Sequence, residues 1–285
     1  MAPKYSGMDR WTSEEVARFK DDARRRPPRV AARRALARGT EMIVAEGDSW
    51  FDYAPGTDVI DCLQYYHGYR IDNYAKAGDT LENMIYGTGI NDRFQPTSPT
   101  IESVLRRLGE LQPRVFLFSG GGNDVAGEEF ESFLNHKASG LSPLLESTLD
   151  QMVNVVFRKY YEDLIAKVAA TAPNTTIITH GYARTVPTGK GVNILFFTFA
   201  GPWLRPALAK KGILDPVEQR NLVFAAIDSF NEMLAGLSAA HSKFRHVDLR
   251  DMINPDRDWT NELHLKNSAF ARVAHRIHLE IQSIH

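Results

Sequence analysis

The chain has 285 residues, 43% of them hydrophobic and 24% charged, which suits a globular protein with a sizeable core in one large domain or two small ones. A net charge of −1 argues against an overall bias toward nucleic acid or a membrane surface. Cys62 is the single cysteine, so no intramolecular disulfide can form, and a reducing compartment fits.

Residues 1–40 stand apart. The stretch "WTSEEVARFKDDARRRPPRVAARRALARG" reads as two helical pieces broken at Pro27-Pro28. Its dense arginines could serve an anionic partner or form a solvated helical arm. The arm is the better reading, because the aromatic interleaving of a nucleic-acid surface is absent. The first residues lack the apolar core of a secretory signal. The later run "VNILFFTFAGPWL" is too short and too interrupted by Gly and Pro to span a bilayer. A soluble, cytoplasmic protein without a transmembrane segment or nucleic-acid partner is expected, with signal-independent export left open.

From residue 41 strands and helices alternate. "EMIVAE", "YRIDNYA", "RVFLFSG", "TTIITHG" and "FRHVDL" are short runs rich in β-branched or aromatic residues, most of them closed by a glycine or polar residue. Between them lie the helical stretches "DVIDCLQYYHG", "SPTIESVLRRLGEL", "LLESTLDQMVNVVFRKYYEDLIAKVAATAP" and "DPVEQRNLVFAAIDSFNEMLAGLSAAH", and the chain closes on "NSAFARVAHRIHLEIQSIH". This alternation predicts one α/β domain over residues 41–285, a five-stranded parallel sheet covered on both faces. Residues 185–215 break the rhythm with many apolar residues between Gly and Pro. They are expected to form a lid-like insertion, or else a satellite core or a dimer contact. The oligomeric state is open.

Ligands of such sheets bind beyond the carboxyl ends of the strands. Those ends carry Gly47-Asp48-Ser49, then Gly78 in "AKAGDT", Asn123 and Asp124 in "SGGGND" and His180 in "THGYART". The fifth strand is followed by "DMINPDRDWTNELHL", with Asn261 and His264. A hydrolytic serine needs a base and donors for the developing oxyanion. Ser49 is the candidate hydroxyl and His264 the candidate imidazole. The N–H groups of Ser49 and Gly78 and the Asn123 amide are candidate oxyanion donors; glycine at 78 would allow close approach to the reacting carbonyl. Each residue also has a plainer reading: Ser49 and His264 as helix caps, Asn123 as a turn residue, Asp48 as a turn ligand, Asp124 as structural. His275 and His278 sit one helical turn apart but lack a Cys or acidic partner, so surface positions are expected rather than a metal site.

These blocks, in this order, resemble the SGNH hydrolase superfamily, the GDSL-type esterases and lipases. The resemblance runs from residue 41 to the last helix. It rests on Ser49 in "EGDSW", Gly78 in "AKAGDT", Asn123 in "GGGND" and His264 in "NELHL". It implies a flavodoxin-like three-layer α/β/α fold. It implies a carboxylic ester hydrolase working through an acyl-serine, with a small-molecule ester as partner and no metal or organic cofactor. The same site could serve an acyltransferase. Two positions depart from the pattern. Trp50 stands where the family has leucine, which should alter fit rather than chemistry. Asn261 stands where the family places an aspartate three residues before the histidine. An amide can orient the imidazole but supplies no charge; Asp258 and Glu262 are nearby carboxylates at the wrong offset, and a main-chain carbonyl is another option. His180, Phe197 and Trp203 are candidate pocket residues beside Trp50. The aromatic content of the insertion favours an acyl chain or aromatic group over a bare acetyl sugar.

Three rival readings are weaker. A metal phosphoesterase would need a histidine after "GND" and an early Asp-x-His pair. A nucleotide-binding protein would need spaced glycines or a phosphate loop. A hydrolase fold retained only for binding is favoured by Asn261 alone.

Overall fold

The computed structural model describes residues 42–53, 56–194 and 197–284; the basic arm expected over residues 1–40 lies outside them, as do the side chains of residues 193–199. The five expected strands form one parallel sheet. They are β1 (Met42–Gly47), β2 (Arg70–Asn73), β3 (Val115–Ser119), β4 (Thr176–His180) and, last in the chain, β7 (Phe244–Val247). Their order across the sheet is β2-β1-β3-β4-β7.

Alternate residues of the inner strands face opposite layers, as the two-residue strand period requires. Ile43, Ala45, Val115, Leu117 and Ile178 join a core with α1 (Val59–His67) and α8 (Asn267–Ser283). Val44, Phe116, Phe118 and Ile177 face the other way. That second layer holds α2 (Leu81–Tyr86), α3 (Thr100–Leu111), α5 (Arg158–Thr171) and α7 (Pro216–Ala240). The result is a three-layer α/β/α fold. By length and composition α7 could cross a bilayer, yet Val223, Phe230, Met233, Leu234 and Leu237 bury one of its sides in this core.

Besides α2, three features were not expected from the sequence. The long helical stretch is not uniform: α4 (Glu146–Asp150) leads into a π-helical segment, Gln151–Phe157, before α5 begins. The loop after β3 contains a 3-10 turn, Gly127–Phe133. The insertion is partly ordered as an antiparallel pair, β5 (Val192–Ile194) with β6 (Phe197–Ala200), followed by α6 (Arg205–Lys210). Leu204, Ala207, Leu208 and Ile213 from this segment are buried in the second core layer.

Candidate active site

β1 and β3 approach closely where they end. A Cβ on Gly47 would stand 2.8 Å from the Ser119 Cβ, so only glycine fits, and the Asp48 N–H donates to the Ser119 carbonyl at 3.1 Å. The chain then turns out of the sheet. Asp48 is buried and fixes the turn: its carboxylate accepts from the Trp50 N–H at 2.9 Å, from the Ser119 hydroxyl at 2.8 Å and from the Tyr182 hydroxyl. Burial pushes its carboxyl up, and those three donors pull it back. Asp48 is therefore an anchor of the turn that presents Ser49.

His264 reaches Ser49 from a compact loop before α8. Its Nε2 lies 2.8 Å from the Ser49 Oγ. Its Nδ1 lies 3.1 Å from Asn261 Oδ1, which also accepts from the main-chain N–H groups of Leu263 at 3.0 Å and His264 at 2.8 Å. Main-chain N–H groups can only donate, so the amide oxygen must point at them, and Nδ1 must then carry the imidazole proton. Nε2 is left as an acceptor facing the serine hydroxyl, the tautomer a general base needs. Burial holds the imidazole down to about 3.

The imidazole is also clamped from the side. The Tyr53 ring lies parallel to it, 3.9 Å between centroids and 8° between planes, and the Trp203 ring meets it edge-on at 5.8 Å. Asn261 Nδ2 donates to the Tyr53 hydroxyl at 3.4 Å. Tyr53 escaped sequence reasoning although it stands in the same "GDSWFDY" run as Ser49; an aromatic four residues past a candidate nucleophile was the available signal.

Neither alternative acid reaches the imidazole. Asp258 pairs with Arg272 at 2.6 Å and accepts from the Asn254 N–H. Glu262 is wholly buried and accepts from the main-chain N–H groups of Gly189, Trp203, Leu204 and Arg205 at 2.6–3.2 Å. It pins the start and the middle of the insertion beside the histidine loop.

Of the candidate oxyanion donors, Asn123 Nδ2 donates to the Asp79 carbonyl at 2.8 Å, which leaves its second N–H. Among the described residues, the N–H groups of Ser49 and Gly78 donate to no other group. Gly78 is held to glycine by its own backbone. A Cβ there would meet nothing within 4 Å, but its φ of +83° is left-handed and favours glycine. Asp124 caps α2 through the Leu81 and Glu82 N–H groups at 2.7 and 3.2 Å, while burial raises it to about 6.

A cavity of about 90 Å³ opens beside Ser49 and Asn123, several times what one water needs, so it is no packing defect. Leu149, Val153 and Phe157 line it from α4 and the π-helical segment, with Phe133, Leu204 and Phe230 from three other elements. π-Helical turns recur at functional sites, and this one places Val153 and Phe157 in the cavity wall. Trp50 lines the cavity, and its indole N–H donates to the Leu263 carbonyl at 3.1 Å, tying the serine turn to the histidine loop.

The other pocket expectations fare differently. His180 does not line the cavity: it is buried beneath Trp50, the rings stacked at 4.9 Å, and the apolar surroundings push it down to about 4. Trp203 sits against His264 rather than in the cavity wall. The Phe197 side chain lies outside the described residues. His275 is exposed, its ring 6.0 Å from that of His278 and 5.4 Å from that of His67. Among the described residues no group of three or more His, Cys, Asp or Glu side chains is placed to hold a metal.

No family model matches the chain, and no curated protein matches it. Solved structures are similar at low identity. A phospholipase A1 from Streptomyces albidoflavus NA297 is 14% identical, over 85% of this chain and 98% of that one, with a TM-score of 0.46. An extracellular lipase from Streptomyces rimosus is 13% identical over 86% and 100%, with a TM-score of 0.47. A family 3 carbohydrate esterase from Clostridium thermocellum is 16% identical over 84% and 94%, with a TM-score of 0.43. Likeness this remote assigns no chemistry.

Proposed function

We propose that the chain is a carboxylic ester hydrolase of the SGNH type that works through an acyl-serine intermediate. The observation that carries this reading is the Ser49–His264 contact at 2.8 Å, with Asn261 fixing the tautomer on the far side of the ring. The Ser49 Oγ–H proton passes to His264 Nε2 as Oγ bonds to the ester carbonyl carbon. The oxyanion is held by the Ser49 and Gly78 N–H groups and the free N–H of Asn123. As the tetrahedral adduct collapses, the C–O bond to the alcohol breaks and the alcohol leaves with the Nε2 proton. Water, deprotonated by the same nitrogen, then releases the acid and restores Ser49. Asn123→Ala is expected to lower kcat by about 10²–10³-fold with little change in KM, the usual cost of one oxyanion donor; steady-state kinetics checks it.

The apolar cavity beside Ser49 supports an aliphatic acyl chain as the group it accommodates. Each buried CH₂ stabilises binding by about 0.8 kcal/mol, roughly fourfold in kcat/KM per added carbon until the space is filled. Val153→Trp, which fills the cavity, is expected to flatten that dependence in a p-nitrophenyl ester series while sparing the acetyl ester. An unchanged series would mean the acyl chain lies elsewhere. The direct test of the reaction class is intact-mass analysis after fluorophosphonate treatment. A single adduct mapped to Ser49 is expected, and no adduct on the folded protein would overturn the hydrolase reading.

A further inference from the structure

We propose that Tyr53 is a positioning residue that takes over the missing carboxylate's work, holding the His264 imidazolium against its ring face. The inference rests on the hydrolase reading above, in which His264 becomes positively charged midway through each acyl transfer. That cation forms in a buried place where burial alone disfavours it and where Asn261 offers only an amide dipole. Something else must stabilise it.

The geometry points to the ring. Tyr53 and His264 are near-parallel at 3.9 Å, close enough for the negative face of the phenol ring to act on an imidazolium. Such an attraction is strongest where water is excluded, and both residues are buried. The ring is held on its other sides. Phe270 of α8 packs 6.2 Å from it, and the Tyr53 N–H donates to Asp58 Oδ2 at 3.1 Å. Asp58 is itself the N-cap of α1, which it serves through the Asp61 N–H at 2.8 Å. The phenol stays neutral across the working pH range, since burial pushes it up to about 12. Tyr53 therefore acts through its ring, while its hydroxyl helps set the orientation of Asn261.

The test separates ring from hydroxyl. Tyr53→Leu is expected to lower kcat about tenfold with KM unchanged, and Tyr53→Phe to recover most of that loss. Equal losses in the two variants would overturn the ring-face role. A second arm reads the imidazole itself. In an Asn261→Asp background, His264 is titrated by NMR with Tyr53, Phe and a series of fluorinated phenylalanines at position 53. Fluorination drains the ring face without changing its shape. The His264 pKa is expected to fall with each added fluorine, by about one unit across the series. A constant or rising pKa would overturn the proposal. This arm needs no turnover and stands even if Tyr53→Leu fails to fold. A missing fluorophosphonate adduct would therefore sink the hydrolase reading without deciding the role of Tyr53, which the titration decides by itself.

Discussion

Ser49→Ala is expected to cut ester turnover by about 10³-fold or more and to abolish the fluorophosphonate adduct, with the melting temperature nearly unchanged. The large kinetic effect and the small structural one have separate causes. Among the described residues the Ser49 hydroxyl has one hydrogen-bond partner, His264 Nε2. The turn that carries it is held by other atoms: the Asp48 carboxylate on the Trp50 N–H, the Asp48 N–H on Ser119 and the Trp50 indole on Leu263. Alanine removes the proposed nucleophile and leaves those bonds in place. Residual turnover would come from the oxyanion donors and the cavity acting on water. Comparison of kcat, intact mass and thermal melting for the two proteins checks all three statements. Activity near that of the wild type would place the nucleophile elsewhere.

The strands were legible because they are brief runs rich in β-branched or aromatic residues, most of them closed by a glycine or polar residue. The candidate site was legible because its residues lie where those strands end. What the sequence hid depends on long-range geometry. The π-helical segment keeps an apolar spacing close to that of an α-helix, so nothing in "QMVNVVF" announces that Val153 and Phe157 line the cavity beside Ser49. Glu262 looked like a spare acid for His264 because it is two residues away; only the fold brings four main-chain N–H groups of the insertion onto it. His180 looked like a rim residue because it ends a strand, yet Trp50, bulkier than the leucine of the resembling family, lies over it. The cavity is lined by segments more than a hundred residues apart, which no local pattern could have joined.

Asn261→Asp is expected to raise kcat/KM at neutral pH by about 10–100-fold and to move the acid limb of the pH profile upward. The sign follows from which form of His264 works. In the proposed mechanism neutral imidazole is the base, so activity is expected to be lost as pH falls through its pKa. In the wild-type protein burial holds that value at about 3, and the profile should stay flat from neutral pH down into the acid range while the fold persists. An imidazole whose protonated form burial disfavours is expected to accept the serine proton less readily than one beside a carboxylate. A carboxylate at 261 can accept the same two main-chain N–H groups and the same Nδ1–H, so the geometry is kept and only charge is added. Because the tautomer is already correct with the amide, the gain comes from charge alone. An opposite charge at hydrogen-bonding distance raises an imidazole by about 1–3 units, which brings the limb to between about pH 4 and pH 6. Profiles of kcat/KM for both proteins, with circular dichroism at each pH to separate titration from unfolding, decide the matter. Two superimposable limbs would mean that His264 is not the group whose ionisation gates the reaction. A collapse of activity without loss of structure would mean that the Asn261 amide does something a carboxylate cannot, the Nδ2 donation to Tyr53 being the bond that the substitution removes.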